Sequence, residues 1–86
     1  MNKAQVQPLG VKYPGKIESF GRHLRKLREE KGFSQQALAD TADIAKLTIL
    51  RIENGKNAPT LDMLFAICDA LEISFQELMN FDSNRE

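Results

Sequence analysis

Read as a helix, the segment from Ala45 to Asn54 carries two chemistries on opposite sides. At 100° per residue, Ala45, Thr48, Ile49 and Ile52 gather on one face, while Leu47, Leu50, Arg51 and Asn54 gather on the other. The first face suits a core. The second joins a guanidinium, a planar fork of donors that matches phosphate or guanine geometry, to two leucines that offer only apolar contact. Such a face is equipped for recognition, with a merely solvated arginine as the plain alternative. Catalysis has little to work with. His23 is the one histidine, so neither a histidine pair nor a Ser/His/Asp set exists, and no Gly-rich phosphate loop is present. With no cysteine or second histidine near it, His23 reads as a solvated helix residue, and neither a metal nor a cofactor is expected. The scattered acids Asp40, Asp43 and Glu53 fit turn, cap and ion-pair roles. Cys68 is the one cysteine and falls at a helical core spacing, which reads as an inert buried thiol.

The elements that must hold that face fit a single small domain of 86 residues. No apolar run is long enough to cross a membrane, and MNKAQVQPLG lacks the apolar core of a signal peptide. A lone cysteine fits a reducing cytoplasm. The zero net charge conceals an uneven distribution. Residues 1–15 carry net +2, residues 16–56 carry nine lysines and arginines against six acids, and residues 57–86 carry net −5. A basic front and an acidic back suit an anionic ligand on one side, and equally a dipolar self-assembling protein.

Residues 1–16, with Pro8, Gly10, Pro14 and Gly15, have no helical period and read as a flexible arm, with weak support for a short strand over Val6–Val11. Residues 17–82 then read as five helices. Ile17, Phe20, Leu24 and Leu27 recur at helical spacing in a first helix that ends at Gly32. Ser34 caps a short second helix with Leu38 inward, and the Ala45–Asn54 segment is the third. Thr60 caps a fourth, whose Leu61, Leu64, Phe65, Cys68 and Leu71 form one apolar stripe. Ser74 and Glu77 make a capping box for the fifth, with Ile73 and Leu78 at the staple positions. Residues 83–86 read as a frayed tail. The expected class is all-α, a compact five-helix bundle.

The second and third helices are joined by only Ala42, Asp43 and Ile44, a helix-turn-helix arrangement. Here the chain resembles the helix-turn-helix family of phage lambda Cro and repressor, the xenobiotic-response-element type. The resemblance rests on FGRHLRKLREEKGFSQQALAD, TILRIENGK and APTLDMLFAICDALEISFQEL, in order, across about 60 residues that include R-x-x-R-E-E-K-G and I-E-N-G-K. It implies a lambda-repressor-like fold whose third helix enters the major groove of double-stranded DNA while the second crosses the phosphate backbone. It implies that Lys46, Leu47, Leu50 and Arg51 face base edges, with Lys46 better suited to a phosphate. Ser34, Gln35, Asn54, Lys56 and Asn57 match phosphate-side positions, and Thr48 reaches a phosphate or packs. Arg28 and Glu53 match a structural ion pair that fixes the third helix.

Three positions depart from the family pattern. Asp43 replaces the usual turn glycine, Ala45 stands where Ser or Thr caps the third helix, and Leu47 and Leu50 replace polar residues. Apolar contact with the thymine methyl is open to both leucines; protein contact is the rival. Phe75, Leu78, Met79 and Phe81 form either core closure or a homodimer surface. The resemblance thus implies a prokaryotic or phage regulator, expected to be a repressor of a palindromic operator. The alternative is an interaction protein, the antitoxin half of a toxin–antitoxin pair, with the N-terminal arm as its partner-binding segment.

Overall fold

The structure, a computed structural model, describes residues 10–82. Five helices follow one another: α1 (Pro14–Glu30), α2 (Gln35–Ala42), α3 (Lys46–Glu53), α4 (Leu61–Leu71) and α5 (Phe75–Met79). No strand forms among the described residues. Most of the N-terminal arm lies outside them, and with it the strand considered at Val6–Val11, the partner-binding role considered for the arm, and the tail 83–86.

The first helix opens at Pro14, ahead of the boundary expected at residue 17. Pro14 and Gly15 look like breakers in sequence. At a first helical turn, however, the missing proline N–H costs nothing and its φ is already helical. The other starts are set by local chemistry. Ser34, Thr60 and Ser74 each accept a hydrogen bond from the backbone N–H three residues on, at 2.9, 3.1 and 3.0 Å. Four helices also end alike, α3 doing so at Gly55. After α1, α2 and α4 the chain steps into the left-handed region at Gly32, Asp43 and Glu72, with φ of 80°, 58° and 56°. The next N–H then reaches back to Arg28, Ala39 and Cys68, at 3.0, 2.9 and 3.1 Å. Asp43 therefore makes the turn that a glycine usually makes, at a cost of about 1–2 kcal/mol.

The core forms where Phe20, Leu24 and Leu27 of α1 meet Leu38, Ile49, Ile52, Ile67, Leu71 and Leu78. On α4 the stripe is turned from the expected one. Leu64 and Leu71 are buried and Cys68 is half-buried, but Leu61 and Phe65 stand 57% and 54% exposed, and Ile67 and Ala70 take the inner positions. The segment LDMLFAICDAL is apolar almost all round, so its period alone selects no inner face. Burial pushes the Cys68 thiol up, which keeps it protonated and unreactive. Leu78 is fully buried and belongs to the core, not to a dimer surface. Phe81 is half-buried, edge-on to Phe20 with ring centroids 5.7 Å apart. His23 is not simply solvated. It is half-buried, and its Nε2 donates to the Glu77 carbonyl at 3.0 Å, tying α1 to α5.

Two features lock α3 onto α1. Gly21 lies where the helices touch: a Cβ there would overlap the carbonyl oxygen of Ile52 and come within 2.7 Å of that of Glu53. About two turns further along, Arg28 grips Glu53 with both arms of its fork, Nε to Oε2 at 2.6 Å and Nη2 to Oε1 at 3.0 Å. Both residues are buried. Arg28 also donates to the Phe33 carbonyl at 2.7 Å, and Gln35 donates to Glu53 Oε1 at 3.0 Å. The bond to Glu53 holds the guanidinium above its ordinary pKa, so, while Glu53 is ionised, the stability this adds is present below the usual arginine value and is lost as pH rises past the raised one.

Substituting Gly21→Ala improves helix propensity by about 1 kcal/mol, yet it forces the two backbones apart. Overpacking of this kind costs about 1–3 kcal/mol, so a net fall in Tm is expected by calorimetry, and an unchanged or higher Tm contradicts the close approach. Breaking the buried pair with Arg28→Met should cost about 3–5 kcal/mol in urea denaturation. The double variant Arg28→Met/Glu53→Met should be the more stable of the two, because no carboxylate is left stranded.

Candidate nucleic-acid interface

Helix α3 presents its outer face as the residue types lead one to expect. Ile49 and Ile52 are completely buried, whereas Lys46, Leu47, Leu50 and Arg51 are exposed, the leucines at 54% and 36%. The four residues that resemble base-facing positions therefore share one solvent face. The start of the helix is bare, since Ala45 makes no side-chain cap. The N–H of Thr48 donates to the Ala45 carbonyl at 3.0 Å, and those of Lys46 and Leu47 depend on water or on a ligand.

Next to this face the chain folds back on itself. After α3, Gly55 takes a left-handed φ of 73° and packs so closely on Glu18 that a Cβ would come within 2.6 Å of its Cγ. The N–H groups of Lys56 and Asn57 both donate to the Arg51 carbonyl, at 2.7 and 3.3 Å. The loop is thus pinned to the backbone of Arg51. Asn54 and Lys56 are exposed on it, and Asn57 is half-buried.

On α2 the picture differs from the sequence expectation. Ser34 is exposed at the N-cap, its oxygen holding the Ala37 N–H. The helix start there is ordered and open to an anion, as helix dipole and free N–H groups favour. The Gln35 carboxamide, expected at a phosphate, is instead half-buried and turned toward Glu53. A buried carboxylate oxygen is a stronger attractor than solvent, and α2 brings Gln35 within reach of it. Thr48 is half-buried too. It lines a cleft of about 380 Å³ with Asp43, Ile44, Met63 and Asp62, where two carboxylates disfavour a phosphate. Packing, the second of its two expected roles, is the one the structure supports.

Of the four residues considered for a dimer surface, Phe75 and Met79 are exposed, each at 37%. They adjoin a neighbour that periodicity missed: Phe65 faces Phe75 with centroids 5.7 Å apart. Together with Leu61 they form an apolar patch on α4 and α5. The signal lay in the apolar excess of α4, which no single inner face can absorb.

Residues 24–78 match the helix-turn-helix family. The chain is 39% identical over 64 residues to the HTH-type transcriptional repressor RghR of Bacillus subtilis (strain 168), a match that takes in 73% of this chain and 47% of RghR. The chain thus spans about half the length of that relative. It is 37% identical over 60 residues, 70% of this chain and 56% of the relative, to YonR, an uncharacterized HTH-type transcriptional regulator derived from the SPbeta prophage of the same bacterium. Among solved structures it is similar to the restriction-modification controller protein C.AhdI from Aeromonas hydrophila, with a TM-score of 0.73 and 31% identity over 74% of this chain and 97% of that one. Turn geometry, the buried Arg28–Glu53 pair and these likenesses agree, and the chain belongs to the Cro/C1-type helix-turn-helix family of DNA-binding transcriptional regulators.

Proposed function

We propose that this chain is the operator-binding part of a repressor that acts as a dimer on palindromic DNA. The observation that carries the reading is the shared outer face of α3, where Lys46, Leu47, Leu50 and Arg51 stand exposed on a helix locked from behind by Ile49, Ile52 and Glu53. Arg51 reads a base edge, guanine being the partner that its fork fits best. Lys46 contacts a phosphate. Ser34 with the first turn of α2, and Asn54, Lys56 and Asn57 in the loop after α3, hold the backbone on either side. Gln35 and Thr48 leave that set, and Gln35 joins Arg28 and Glu53 in fixing the reading helix.

Repression follows from occupancy of an operator, and the resemblance to a repressor supports that sign. The patch of Leu61, Phe65, Phe75 and Met79 supports pairing of two copies. A two-fold dimer presents its two reading helices about 34–36 Å apart, one turn of DNA. Binding by so many phosphate contacts falls steeply as salt rises.

Selection from a random duplex library should return a palindrome with half-site centres about 10–10.5 base pairs apart. Enrichment of a single unrepeated half-site removes the dimer, and no enrichment removes operator reading. Arg51→Ala should erase discrimination at one base pair per half-site, about 1–3 kcal/mol, with the melting temperature unchanged because the side chain is exposed. Full selectivity in that variant shifts the readout away from Arg51.

A further inference from the structure

Leu47 and Leu50 stand out on a face otherwise made of cations and polar groups. They are not core overflow. Ile49 and Ile52 fill the inner side of α3 completely, and both leucines stand exposed outside the buried cluster. Nor does the surrounding chemistry suit an apolar protein partner, for Lys46, Arg51 and Lys56 flank the pair and favour a polyanion. The occupant has to offer an apolar group inside an anionic setting.

In duplex DNA that group is the methyl at C5 of a pyrimidine, which projects into the major groove. Thymine carries it and cytosine does not. Leucine has neither donor nor acceptor, so it is blind to the difference between thymine O4 and cytosine N4 and senses only whether the methyl is there. Spacing fits as well. Three residues along an α-helix advance about 4.5 Å, against a rise of about 3.4 Å per base along one strand. Two leucines one turn apart can therefore meet pyrimidines at successive positions.

We infer that α3 reads pyrimidine C5-methylation itself, so that 5-methylcytosine at a leucine-facing position binds as thymine does in that contact and better than unmodified cytosine. The inference rests on α3 being the DNA-reading helix. Arg51 sets which base pair is hydrogen-bonded, and the leucines set how the chemical state of its neighbours is felt. The regulator would then respond to cytosine methylation of its own site without any effector-binding domain.

The test begins with a site selected from an ordinary duplex library. Each thymine of the half-site is then replaced in turn by deoxyuridine, which removes only the methyl, and each T·A pair in turn by a C·G pair carrying either cytosine or 5-methylcytosine, which differ only by the methyl. Dissociation constants are measured for the natural chain and for Leu47→Ala/Leu50→Ala, whose exposed positions leave the fold intact, as thermal melting checks. The natural chain should lose about three- to fourfold per critical deoxyuridine, the effect of leaving one methyl unburied. At the same one or two positions 5-methylcytosine should bind better than cytosine by a similar factor, and the double variant should lose both sensitivities. Equal affinities for thymine and deoxyuridine sites, together with equal affinities for cytosine and 5-methylcytosine sites, overturn the inference while DNA reading stands, as does undiminished sensitivity in the double variant. If the ordinary library yields no site, DNA reading fails and the inference fails with it.

Discussion

Everything functional in this fold hangs on one carboxylate. Glu53 ends α3, is buried, and takes both arms of Arg28 from α1 and the amide of Gln35 from the first turn of α2. Three helices therefore converge on a single pair of oxygens. A buried ion pair of this kind adds little net stability, because removing two charges from water costs about as much as their attraction returns. Its effect is geometric. The two-armed grip allows one arrangement of α3 against α1, and Gln35 ties the N-terminal end of α2 to that arrangement.

The grip works because the backbones are already close. Gly21 lets α1 and α3 touch main chain to main chain, which brings Arg28 within reach of Glu53. On the far side, the carbonyl of Arg51 holds the N–H groups of Lys56 and Asn57. Arg51, the loop after α3 and the buried carboxylate are thus one short unit. Precision in the groove needs such a unit, since a fork of donors discriminates bases only when its angle is fixed.

Much of the architecture was legible from local chemistry. Serine or threonine caps announced α2, α4 and α5, and all three hydroxyls accept the expected bonds. The turn survived the loss of its glycine, because aspartate tolerates the left-handed conformation. The matching turn at Glu72 went unread, for nothing in glutamate's chemistry marks that conformation. Pro14 was misread for a related reason: a residue that breaks a helix inside it is also suited to begin one.

The candidate interface divides along the same line. Sequence by itself determined which residues of α3 share a face, because 100° per residue is a property of the helix alone, and it supplied the Arg28–Glu53 pairing through the family resemblance. Only the tertiary structure decided which of the polar candidates turn outward. Gln35 and Thr48 were placed on the phosphate side by position, yet one turns toward the buried carboxylate and the other lies in a cleft with Asp43 and Asp62. Leu78 vanished into the core, Phe65 emerged from it, and His23 found a carbonyl 54 residues away. Each of these outcomes depends on a neighbour distant in sequence. Local periodicity records the face a side chain occupies on its own helix, and it holds no record of what the rest of the fold brings to that face.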